Sequence, residues 1–142
     1  IVVIVTSLAL GRSLTVTGGT QYIADLFVVL AAPVPTIVAL AGLMLVIALL
    51  TEIVTNNAAA VLGTPVAMFI AQRLGVPPEP FVLAVLFGAN MSYLTPIGYQ
   101  TNLMVLSAGG YRFGDFFRVG VPLQVIMWLA LTVFIGLAYG LL

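Results

Sequence analysis

The chain has 142 residues, 63% of them hydrophobic and 6% charged, with a mean hydropathy of +1.28 and a formal net charge of zero. A soluble domain carries about 25% charged residues, so this composition excludes a water-covered globule and describes an all-α integral membrane protein. Cysteine and histidine are absent, which removes disulfides, thiolate metal sites and the imidazole proton shuttle, and four basic against four acidic residues form no patch for nucleic acid or anionic lipid.

Uncharged stretches at 26–51, 53–72, 80–111 and 119–142 each reach the roughly 20 residues that cross a hydrocarbon core as helix. The opening "IVVIVTSLAL" has neither an initiator methionine nor a basic n-region, so it reads as the inside of a membrane helix rather than a signal peptide. The chain is accordingly expected to be about half of a larger transporter, with a truncated span over 1–17. "GRSLTVTGG", with Arg12 and Gly18–Gly19, marks the membrane boundary. In "TQYIADLFVVL", Thr20 stands as an N-cap, and Ile23, Leu26, Phe27 and Leu30 share one helical face. At about a dozen residues this element is too short to span and is expected to lie along the membrane surface over 20–32. Pro33 and Pro35 end it.

Residues 36–54 form the most apolar helix and run straight into Asn56 and Asn57; a second helical limb covers 58–74. "RLGVPPEP" is a loop, 81–91 a helix, "SYLTPIGYQTN" a break, and 103–108 a resumed helix. "GGYRFGDFFRVG" reads as a solvated interfacial loop carrying Arg112, Asp115 and Arg118. The stretch 119–142 is the terminal span, its clean helix running over 121–142, with Trp128 packing or facing lipid. Counting crossings puts Arg12 and Arg73 on one side and Arg112 and Arg118 on the other, so the positive-inside rule gives no orientation. No long linker, low-complexity tract or tandem repeat is visible.

Two interruptions carry the chemistry. In "TEIVTNNAAAVLGTP" (51–65), Glu52 and Thr55 extend polarity back down the first helix, and Pro65 lies well inside the second limb. Pro65 cannot donate to the Val61 carbonyl, and unsatisfied backbone at membrane depth is tolerated only in protein or beside a watery cavity. A re-entrant hairpin over 36–74, with its tip at 55–57, satisfies these constraints. In "GANMSYLTPIGYQTN" (88–102), Pro96 deprives the Ser92 carbonyl of its helical donor, which makes 80–108 a broken helix. Half-helix C-termini offer carbonyls to cations and N-termini offer N–H groups to anions, with Asn57 and Asn102 placed as N-caps. A lone asparagine in a membrane helix is commonly interhelical glue; two breaks with Asn, Thr and Pro favour a binding site. Glu52 stays open between a functional carboxylate and a residue that either sits near the interface or pairs with an arginine of the other half.

At these breaks the sequence resembles the divalent-anion/sodium symporter family, whose members carry dicarboxylates or sulfate. The family belongs to a superfamily that includes arsenite permeases and some sodium/proton antiporters. Thr55-Asn56-Asn57 looks like the family's Ser-Asn-Thr hairpin-tip triplet, and Thr95-Pro96-Ile97-Gly98-Tyr99-Gln100-Thr101-Asn102 looks like its unwound Thr-Pro loop. The order of pieces matches the family's C-terminal half.

The resemblance implies sodium-coupled symport of a small divalent anion by an elevator motion. Thr55, Asn56, Asn57, Thr101 and Asn102 would bind the anion. Sodium would lie near Asn56, Thr95, Pro96, Gly98 and Thr101, with Glu52 as a coupling residue. It further implies a homodimer in a bacterial inner membrane, a second inverted repeat, a cytoplasmic 109–120 loop and a hairpin entering from outside. The triplet departs from the pattern at Thr55 and Asn57, which bears on the substrate more than on the fold. The alternative within the superfamily is a sodium/proton antiporter or arsenite-type permease in which Glu52 titrates. The scattered carboxylates give no sign of an enzyme.

Overall fold

The most apolar stretch, "TIVALAGLMLVIALL", has no polar face, and a helix apolar all round belongs inside a larger body or a membrane. In the computed structural model, which describes residues 2–31 and 34–141, this stretch is the central helix. Among the described residues every regular element is an α-helix: α1 (Val2–Val16), α2 (Gly19–Ala31), α3 (Thr36–Leu50), α4 (Asn56–Leu74), α5 (Glu79–Ala89), α6 (Gln100–Ala108) and α7 (Phe113–Tyr139). Residues 1 and 142, at the outer ends of the expected first and terminal spans, lie outside the description. So do Ala32, which closes the expected surface helix, and Pro33.

α3 starts behind Pro35, whose fixed φ of −56° and extended ψ of 151° set the entry. It buries Leu40, Leu43, Met44 and Ile47 against α4, α5 and α7. Water expulsion does not drive helix association in lipid, so close packing and hydrogen bonds must. α5 meets α3 at Gly88, where an added Cβ would stand 2.7 Å from the Met44 carbonyl oxygen. α7 docks on α3 through Trp128, whose Nε1 donates to the Ala41 carbonyl at 2.8 Å; Trp128 is therefore a packing residue with a polar anchor.

Several local expectations shift. α3 stops at Leu50 rather than at 54, because residues 51–54 tighten into turns in which the Ile53 and Val54 amides both bond to the Leu50 carbonyl at 3.0 Å. Ile53, apolar enough to pass for helix in sequence, is 83% exposed. α2 begins at Gly19 after Gly18 turns at φ +76°, so Thr20 sits inside the first turn, buried, with Oγ1 3.3 Å from Thr15 Oγ1. The packed face of α2 is Thr20, Ala24, Phe27 and Val28, while Ile23 and Leu26 point outward and the Leu30 side chain lies outside the description. Small residues let α2 approach α4, and in lipid the apolar outer face carries no penalty.

α4 runs through Pro65 and closes on Gly75 at φ +68°, with Val76 N–H reaching the Ala71 carbonyl at 3.0 Å and Gly75 N–H reaching Gln72 at 3.2 Å. α5 starts at Glu79, two residues early, since Pro80 is tolerated in a first turn. Of the 109–120 segment expected as a solvated interfacial loop, residues 109–112 are non-helical and 113–120 are instead the first two turns of α7. Its start is fixed by the Arg112 N–H donating to Asp115 Oδ2 at 2.8 Å, and Arg112, Asp115 and Arg118 are exposed. α7 is the one described helix long and apolar enough to cross a membrane. With 15, 11 and 9 residues, α3, α5 and α6 each fall short of the roughly 20 needed.

Candidate functional site

Helix ends at the middle of an apolar body leave backbone groups that need partners, and here the two breaks supply each other's. Non-helical residues 51–55 join α3 to α4, and 90–99 join α5 to α6. Thr51, the first residue beyond α3, is fully buried. Its Oγ1 lies 2.7 Å from Asn56 Oδ1, 3.0 Å from the Ala89 carbonyl that ends α5, and 3.3 Å from Ser92 Oγ. Ser92 Oγ donates to Asn56 Oδ1 at 2.7 Å. A hydroxyl has one proton, so Thr51 donates to Asn56 or to Ala89 but not to both at once. The result is a knot of neutral oxygens drawn from both breaks.

Within the Thr55-Asn56-Asn57 triplet the three side chains take different tasks. Thr55 is the N-cap of α4, its hydroxyl accepting from the Ala58 N–H at 3.3 Å. Asn57, expected as a cap, therefore lies inside the first turn, and its side chain is exposed. Asn56 turns its oxygen inward to the two hydroxyls, while its Nδ2 has no partner among the described residues.

Asn102 is likewise not a cap, because Tyr99 holds that position with extended dihedrals. Its Nδ2 instead donates to the Ser92 carbonyl at 2.9 Å and the Thr95 carbonyl at 3.2 Å, supplying the donor that Pro96 denies to Ser92. Thr101 is exposed on α6, whereas Pro96 and Gly98 are buried in the loop.

Glu52 is 6% exposed. Its Oε1 accepts from Leu94 N–H at 2.8 Å, and its Oε2 accepts from Thr95 N–H at 2.9 Å and from Thr95 Oγ1 at 2.8 Å. Among the described residues no arginine pairs with it; Arg73 instead pairs with Asp25 at 3.0 Å, tying α4 to α2 at the surface. Besides the Glu52 carboxylate, the groups at the breaks are carbonyl, hydroxyl and amide oxygens, ligands that hard cations take. A cavity of about 360 Å³ opens beside the second break, with Ser92, Tyr93 and Asn102 on one side and Asp115, Phe116 and Gly120 of α7 on the other.

Of the expected residues, Asn56 joins the knot, Asn102 ties the loop, and Thr55, Asn57 and Thr101 stand apart at the surface. Two residues that sequence reading did not take as site residues belong to the knot. Thr51 and Ser92 were signalled only as hydroxyls bordering the breaks. Gln124 on α7 is 4% exposed with neither amide atom partnered among the described residues.

Comparison with known proteins gives a consistent result. A family model described as citrate transporter matches residues 1–141. An uncharacterized transporter of Synechocystis is 54% identical over 93 residues, covering 66% of this chain and 15% of the relative. Sodium/sulfate cotransporter 1 of Chlamydomonas reinhardtii is 39% identical over 101 residues, 71% of this chain and 11% of the relative. Solute carrier family 13 member 2 of Rattus norvegicus is 32% identical over 94 residues, 66% and 16% respectively. The chain thus spans 11% to 16% of the length of these relatives. Matched along 141 of its 142 residues, the chain belongs to the citrate transporter family, among the divalent-anion/sodium symporters that its two breaks resemble.

Proposed function

We propose that this chain is part of a secondary active transporter, not an enzyme, that carries a small divalent anion across a membrane together with sodium. The observation that carries the reading is the split carboxamide of Asn56: its oxygen is held by Thr51 and Ser92 while its nitrogen is left to donate. In this reading sodium is cargo held by neutral oxygens near Asn56, Thr95, Pro96, Gly98 and Thr101. The anion takes Asn56 Nδ2 and the exposed Thr55, Asn57 and Thr101 side chains at the N-termini of α4 and α6, where helix dipoles favour negative charge. Asn102, its Nδ2 protons given to the Ser92 and Thr95 carbonyls, shapes the site without donating to the ligand. The names of relatives support sodium and sulfate, and the family description adds citrate to the dicarboxylates as a candidate.

The short α3 and the α4 that follows form a re-entrant hairpin entering from outside, and α5 with α6 form the broken helix. α2 is the surface helix, and α7 is the terminal span whose first turns face the cytoplasm. The site moves by an elevator motion in a homodimer, opposite a second inverted repeat, in the inner membrane of a bacterium. The antiporter alternative requires Glu52 to exchange protons, and its carboxylate is already taken up by three loop donors.

The test is ligand-induced stabilisation of the intact transporter in detergent. Sulfate, succinate and citrate are each titrated in sodium and in choline. A bound ligand stabilises by about 2.7 kcal/mol at a hundredfold excess over its Kd, so one anion raises the melting temperature in sodium and fails to in choline. Equal stabilisation in both salts rules out sodium coupling.

A further inference from the structure

We infer that Glu52 is a positioning residue: its carboxylate sets the shape of the 93–98 loop and locks it to the hairpin turn, so that both breaks present their oxygens to one cation as a single rigid unit. This rests on the sodium-symport reading above and names how its site is held together.

The successive N–H groups of Leu94 and Thr95 both point at this one carboxylate, at 2.8 and 2.9 Å. Peptide groups are planar and trans, so fixing two adjacent N–H vectors also fixes the carbonyls of Tyr93 and Leu94 on the opposite side. The Thr95 hydroxyl continues the network, donating to Glu52 Oε2 at 2.8 Å while accepting from Gly98 N–H at 3.0 Å. A single side chain therefore organises residues 94, 95 and 98 across 42 and 43 positions of sequence. Hydrogen bonds to an ionised acceptor are roughly twice as strong as neutral ones, which suits a carboxylate to this task better than an amide.

Two glycines show that the fit is close. A Cβ at Gly98 would stand 2.7 Å from Glu52 Oε2 and 3.3 Å from its Cδ. On the far side of the loop, a Cβ at Gly120 of α7 would overlap the Tyr93 carbonyl oxygen. The loop is thus gripped between a carboxylate and a bare stretch of helix backbone. A group that orients ligands without touching the ion behaves as an outer-shell partner, and losing such a partner costs about 10- to 100-fold in metal affinity.

The test uses the intact transporter reconstituted in liposomes, with Glu52→Gln and Gly98→Ala as independent perturbations. Glutamine puts a carboxamide NH2, a donor, against loop donors; alanine at 98 pushes the carboxylate aside without altering its charge. Each is expected to raise the half-saturating sodium concentration about 10- to 100-fold while leaving the anion KM at saturating sodium unchanged. The double variant should be no worse than the more impaired single, as for residues acting through one contact. Hydrogen exchange of the Leu94 and Thr95 amides should accelerate in both variants, a readout independent of transport and available if one variant expresses poorly. Wild-type sodium affinity, wild-type exchange, or a fall in maximal rate alone in the variants overturns the positioning role. Sodium-independent uptake by the unmodified protein overturns the symport reading instead, and the exchange result then still decides whether Glu52 holds the loop.

Discussion

Asn56 separates two jobs within one side chain, and its variants separate them experimentally. Asn56→Asp keeps an acceptor oxygen for the buried Thr51 and Ser92 hydroxyls but replaces the free amide donor with negative charge. It should fold with a near-wild-type melting temperature and lose anion uptake by repulsion. Asn56→Ala removes the acceptor itself; Thr51 still has the Ala89 carbonyl, but the buried Ser92 hydroxyl loses its 2.7 Å acceptor at about 1–3 kcal/mol, so the variant should lose both stability and uptake. Thermal melts beside uptake assays check this pair. Gln124 makes the opposite prediction. Its buried amide has no partner among the described residues, and relieving unsatisfied polar atoms recovers about 1–3 kcal/mol. Gln124→Leu should therefore keep or raise the melting temperature; a fall would show that the amide meets a partner in the assembled transporter.

The relation between elements depends on how closely α5 approaches α3. Gly88→Ala would set a methyl 2.7 Å from the Met44 carbonyl oxygen, a backbone atom that cannot step aside. Overpacking of this kind costs about 1–3 kcal/mol. Because Ala89 and Thr51 sit at the adjoining helix ends, the variant should lower the melting temperature and sodium affinity together, read in the same titration. The positions of both breaks were legible in sequence, since Asn, Thr and Pro stand out in an otherwise apolar run. Their boundaries were less so: Ile53 looks helical by composition yet lies exposed in a turn. The roles of Asn102 and Glu52 were illegible, because each is decided by a partner that chain folding brings near. Asn102 answers the carbonyl that Pro96 strands, and Glu52 bonds to amides 42 and 43 residues away. Likewise Arg112 to Arg118 carry loop-like composition, but the Asp115 carboxylate starts a helix there.

At the scale of the molecule, α6 buries none of its residues and most of α7 is exposed, which suits the proposed transporter, in which their remaining faces would meet lipid or further protein. The core that remains, α3 with α4 and α5, is what brings the two breaks into one knot. The most direct test of that account is the initial rate of anion uptake into liposomes containing the intact transporter, with and without an inward sodium gradient, for the unmodified protein and Asn56→Ala. The account predicts uptake that requires the gradient and is abolished by the substitution. Uptake at the same rate without sodium, or undiminished in Asn56→Ala, would contradict it.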